Sequence, residues 1–233
     1  MIFDPIYLIM MLPGFALALW AQSRVKSAFQ AASQVPARLS GAAAARHILD
    51  SAGLQDVGIE QTPGHLSDHY DPIHNVLRLS EPVYHGRTQA AVGIAAHEAG
   101  HAIQKARHYL PLVVRNMAVP VASFGSNGAF FILFGGVIMS TVFESVQLGG
   151  TLINLGILLF GAVLVFQVIN LPVEFDASKR AKAELVSLGI VPAQEMVHVN
   201  KVLNAAALTY VAATLQAAMT FLYFFLRYGG SRD

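Results

Sequence analysis

Four stretches of this chain are apolar for long enough to set its organisation: about Pro5 to Trp20, Met117 to Phe143, Leu148 to Leu171 and Ala205 to Leu226. Crossing the hydrocarbon core of a bilayer takes roughly 20 helical residues, so each is expected to form a membrane helix. The first is short and contains Pro13-Gly14. A secretory signal would place positive charge ahead of its apolar run, whereas only Asp4 precedes this one and Arg24 and Lys26 follow it. That order predicts an uncleaved anchor, residues 1–21, with its N-terminus outside. Few residues separate the second and third runs, so residues 116–171 should form an antiparallel membrane hairpin. Residues 205–233 supply a last membrane helix and a tail.

The polar stretches read differently. Within residues 22–115, Ser40 suits an N-cap for a helix from Ala42 to Ser51, ended by Gly53. Val57 to Gln61, Leu66 to Tyr70 and Asn75 to Leu79 have the length and content of short strands, the last two joined by a turn at Asp71-Pro72. A longer helix is expected from Thr88 to about Arg107. Residues 172–204 should form further helices, Pro172 suiting the first turn of a new one.

Composition supports the membrane reading. Hydrophobic residues make up 55% and charged residues only 12%, about half the charge of a soluble domain, and mean hydropathy is +0.52. A net charge of +1 gives no basic surface for nucleic acid, and with no cysteine any metal site must be built from His, Asp and Glu. Lys and Arg are distributed unevenly. Nine lie between the first and second apolar runs and none in the hairpin loop. Lys179, Arg180, Lys182 and Lys201 lie between the third and fourth runs, and only Arg227 and Arg232 follow the last. The positive-inside rule then puts residues 22–115 and 172–204 together on the cytoplasmic side of a multi-pass inner (plasma) membrane protein.

The chemistry lies in Ala95-Ala96-His97-Glu98-Ala99-Gly100-His101. On a helix, residues four apart share a face, so His97 and His101 can hold one zinc ion while Glu98 stands beside the open position as general base. Zinc acidifies water toward neutrality, and such a site hydrolyses peptide bonds. Two core histidines flanking a glutamate by coincidence would bury polar groups at a cost. A third ligand is needed. A nearby histidine is ruled out because Gln104 and Arg107 stand where a metzincin has Gly and His, and no Asp-Gly pair occurs in a later membrane run. The favoured ligand is Glu174, whose helical neighbours Ala177, Ser178 and Ala181 are small enough to let that helix approach closely. Asp176 is the second choice, and Glu184 and Glu195 read as solvated charges.

The HExxH stretch, Leu66-Ser67-Asp68-His69-Tyr70-Asp71-Pro72, Asn75 to Ser80, Glu174 to Ala181 and Ala205 to Ala212 together resemble the YugP-type zinc metallopeptidases of bacterial membranes, over nearly the whole chain. More distantly the chain is similar to the membrane gluzincins, whose third ligand is a Glu in a Glu-x-x-Ala-Asp pattern. Glu174 and Ala177 match that pattern, while Ser178 stands in place of its Asp, so a serine or a backbone carbonyl could orient the zinc-bound histidine instead. The expected fold is therefore a mainly α membrane protein, with about four transmembrane helices and a small α+β zincin-like cytoplasmic domain. Its expected activity is cleavage of membrane or membrane-associated proteins.

Other polar residues are weaker candidates. Asn75, Val76 and Leu77, or the neighbouring strand, could offer an edge to an extended peptide, and His198 or Tyr210 could stabilise an oxyanion. His65, His69 and His74 with Asp68 and Asp71 could form a second metal cluster, although a polar hairpin explains them more simply. Asn127, Asn154 and Gln167 are explained by hydrogen bonds between membrane helices. A homo-oligomer or a partner in a membrane complex is compatible with the sequence. Two rival functions remain: a membrane scaffold or regulatory subunit in which zinc only stabilises the fold, and a small transporter. The lack of charged residues inside the second to fourth runs argues against the latter.

Overall fold

A computed structural model describes residues 4–64 and 66–229 and, within these, every side chain except those of Ser126 and Asn127. His65, Arg232 and the Asn127 side chain lie outside the described residues. Among the described residues, four helices are long and apolar enough to cross a membrane: α1 (Pro5–Ser33), α5 (Leu110–Thr141), α6 (Val146–Ser187) and α7 (Val197–Tyr228). Between α1 and α5 come α2 (Gly41–Ser51), strands β1 (Gly58–Thr62), β2 (His69–Asp71) and β3 (Val76–Ser80), the short α3 (Glu81–Tyr84) and α4 (Gln89–Ala106).

The chain forms two compact units. The first comprises the described residues of Met1–Leu19, Val114–Leu171 and Tyr210–Asp233; the second is Trp20–Val113 with Pro172–Thr209. In the first, Met11, Leu133, Ile157, Tyr223 and Phe224 are buried together. The α5–α6 hairpin closes on small residues, and a Cβ at Gly149 would lie 2.6 Å from the Gly136 carbonyl oxygen. Backbone approach of this kind is how membrane helices pack without a hydrophobic driving force.

The second unit has a conventional water-excluding core. Ser40 caps α2 by accepting from the Ala43 N–H at 3.2 Å, and Gly53 beyond its end takes φ +76°, the left-handed conformation favoured there. Ile48 and Leu49 of α2 join Leu77, Leu79, Val92, Ala95, Ala96 and Ala99, together with Leu185, Val199 and Leu203 from later in the chain. The sheet order is β1-β3-β2. Strand β3 runs parallel to β1 and antiparallel to β2, and its apolar residues are buried on both faces, as suits a central strand.

Two expectations change. Pro172 does not begin a helix: α6 continues through it, although the boundary between the units falls there. The second strand starts later than Leu66, which instead takes φ +55° in the loop ahead of β2.

Candidate metal centre

Helix α4 starts at Thr88, whose hydroxyl accepts from the Ala91 N–H at 3.3 Å. Its buried alanines let it run through the middle of the second unit's core. His97 and His101, one turn apart, bring their ring centroids within 4.8 Å. Glu174 arrives from the last part of α6, where the helices touch backbone to backbone. A Cβ at Gly100 would sit 2.7 Å from the Ala177 carbonyl oxygen, so the small residues at both positions are what allow Glu174 to reach the histidines.

Glu174 Oε2 lies 3.3 Å from His97 Nε2 and 3.6 Å from His101 Nε2, and one ligand atom from each of the three residues falls within 4.8 Å of the others. Two atoms each about 2.0–2.1 Å from a shared tetrahedral ion would be roughly 3.4 Å apart. Neither contact has hydrogen-bond geometry, and Glu174 Oε2 is buried without a hydrogen-bond partner. Leaving a buried charged oxygen without a hydrogen bond is costly, by roughly 1–3 kcal/mol or more. Two nitrogens and an oxygen directed at one point, rather than at each other, fit a zinc ion. His101 shows the same demand for positive charge. Burial lowers the affinity of its ring for a proton, but the Glu174 and Glu98 carboxylates and Gln104 outweigh that effect and raise its pKa. A divalent cation meets this demand in place of the proton.

Both rings are held from behind. Ser178 Oγ lies 3.2 Å from His97 Nδ1, so the serine occupies the orienting position that the sequence pattern left to a serine or a carbonyl. His101 Nδ1 meets Gln104 Oε1 at 3.0 Å. Gln104 Nε2 donates to the Val173 carbonyl at 2.7 Å and to Asp176 Oδ2 at 2.9 Å. Asp176 therefore faces Gln104 and Arg180 and is not among the clustered ligand atoms. Gln104 is not marked as part of the site by the sequence alone, since an amide has no metal-ligand spacing.

Glu98 is buried beside the cluster, and its Oε2 accepts from the Tyr70 backbone N–H of β2 at 3.0 Å. The substrate edge expected at Asn75, Val76 and Leu77 does not lie there. Val76 and Leu77 are in the central strand, paired on both sides and buried, so they present no free edge. Asn75, at φ +55°, ties the turn by accepting from Tyr70 Oη and donating to Asp56. The edge strands are β1 and β2, and it is β2 that meets Glu98. Of the two oxyanion candidates, His198 belongs to the same unit as the cluster, on the first turn of α7, with its Nδ1 buried and unpaired. Tyr210 falls in the other unit. Among the described residues, Asp68 is bonded to Ser80, and Asp71 to His74 and Arg78. The polar hairpin reading accounts for them.

A helix-borne His-x-x-x-His pair and a distant glutamate that could hold a metal ion, on a chain with helices apolar enough to cross a membrane, are the features a membrane zinc metallopeptidase would need. The chain belongs to the family described as "Putative neutral zinc metallopeptidase", whose model matches residues 7–229. It is 45% identical over 230 residues, 98% of this chain and 99% of the other, to the "Putative membrane protease YugP" of Bacillus subtilis (strain 168). No solved structure matches it.

Proposed function

We propose that this protein is a membrane-embedded zinc metalloendopeptidase that cleaves membrane or membrane-associated proteins at the cytoplasmic face. The observation that carries the proposal is the convergence of His97, His101 and the unpaired Glu174 oxygen, with Glu98 buried alongside. One zinc ion held by these three residues would supply Lewis acidity and an acidified water. The chain's own residues do the rest. Glu98 Oε2 is fixed by the Tyr70 N–H, which leaves Oε1 to take a proton from the attacking water and return it to the departing amine. The same contact places Glu98 against β2, one of the two edge strands, where an extended peptide can add backbone hydrogen bonds.

The cytoplasmic orientation rests on the Lys and Arg asymmetry of the loops. A membrane substrate is favoured by the position of Glu174, three residues after the apolar run that ends at Leu171. Glu98→Gln keeps the size of the side chain but removes the base. In the purified protein reconstituted in liposomes, the variant is expected to keep its zinc and lose cleavage of a casein or quenched-peptide probe by about 10²–10⁴-fold. Unchanged proteolysis overturns the proposal. Zinc-loaded wild type that releases no products from reconstituted inner-membrane proteins favours the scaffold reading.

A further inference from the structure

Gln104 is fully buried and makes three hydrogen bonds, all to groups belonging to or flanking the metal cluster. Its orientation follows from its partners. Nε2 faces two acceptors, the Val173 carbonyl and the Asp176 carboxylate, so this end is the NH₂. The other end, Oε1, is then an acceptor, which requires His101 to carry its hydrogen on Nδ1 and to present the lone pair of Nε2 toward Glu174. Asp176 is itself oriented by Arg180 Nε at 2.6 Å. The residue that Gln104 holds by its backbone, Val173, immediately precedes Glu174. One side chain thus acts on two candidate ligands that stand on different helices.

From this geometry we propose that Gln104 is the positioning residue of the metal centre. It fixes the His101 tautomer and locks the Glu174 segment of α6 to α4, in a place where metal-bound histidines commonly have a carboxylate or carbonyl. An amide is required because a carboxylate could accept from His101 but could not donate to Val173 and Asp176. This inference rests on reading His97, His101 and Glu174 as a zinc site.

The test measures metal binding by the full-length protein in detergent, using zinc competition against a chromophoric chelator and the visible spectrum of the cobalt(II) form. Gln104→Leu is expected to weaken zinc binding about 10–100-fold and to shift the cobalt bands. Gln104→Glu should also weaken it, by setting a carboxylate against Asp176 and the Val173 carbonyl, and adding Asp176→Asn should restore the part of the loss due to Asp176. Asp176 is partly exposed, so Asp176→Ala leaves the core intact and should cost several-fold in affinity. Wild-type affinity and cobalt spectrum in Gln104→Leu overturn the inference, as does a double variant that binds no better than Gln104→Glu. Wild-type protein that takes up neither zinc nor cobalt overturns the metal-centre reading instead.

Discussion

Two parts of the second unit are rich in histidine and carboxylate, and they behave in opposite ways. In the turn from Ser67 to Arg78, each acidic group is satisfied within the protein. Asp68 accepts from the Ser80 N–H and hydroxyl. Asp71 accepts from His74, Arg78 and two backbone N–H groups. In the His97, His101 and Glu174 cluster, the outer nitrogens have hydrogen-bond partners, yet the inner oxygen of Glu174, near both rings, accepts no hydrogen bond. Residue type alone would nominate both as metal sites. What separates them is whether the hydrogen bonds close on themselves or leave a buried charge for an ion to complete.

The comparison can be broken by exchanging which residues matter for metal. His101→Ala should weaken zinc binding by more than the roughly 100-fold upper range of an outer-shell change. Asp68→Ala should leave zinc affinity unchanged in the same chelator competition and lower thermal stability instead. Next in size is Gly100→Val, which forces side-chain atoms against the Ala177 backbone. A loss of about 1–3 kcal/mol in unfolding free energy is expected, with weakened zinc binding because α4 and α6 separate.

Ser178→Ala removes the partner of His97 and should cost about tenfold in zinc affinity, with little change in stability measured in chelator. The smallest effect concerns the saturated turn. The His74 and Arg78 contacts, with backbone N–H groups, hold the Asp71 carboxyl well below the usual carboxylate range. A folded-state pKa below the unfolded one gives stability that is complete above about pH 4 and fades as pH falls toward the lowered value. Asp71→Asn should therefore lower the melting temperature near neutrality, converge with wild type in acid, and leave zinc binding unaltered.

The sequence made some of this legible for local reasons. His97, Glu98 and His101 are visible because helical periodicity places residues four apart on one face, and Ser40 and Thr88 announce helix starts by their capping chemistry. Glu174 was reachable because Ala177 and Ser178 beside it implied close helix contact, which Gly100 makes with Ala177. What remained hidden depends on non-local pairing. Asn75 to Leu77 looked like an available edge because strand order is not written in a strand's own residues; the parallel pairing with β1 places it in the centre. Pro172 looked like a helix start because a proline at the first turn and one inside a long helix have the same local sequence. Gln104 looked only like a missing glycine, since its role appears once Val173 and Asp176 are brought against it.

The most direct test is zinc content and X-ray absorption of the full-length protein, wild type beside Glu174→Ala. One zinc per chain is expected in the wild type, with two imidazoles and a carboxylate in its absorption spectrum, and loss of that zinc in the variant. Wild-type protein without zinc, or a Glu174→Ala variant that keeps its zinc with an unchanged spectrum, would contradict that expectation.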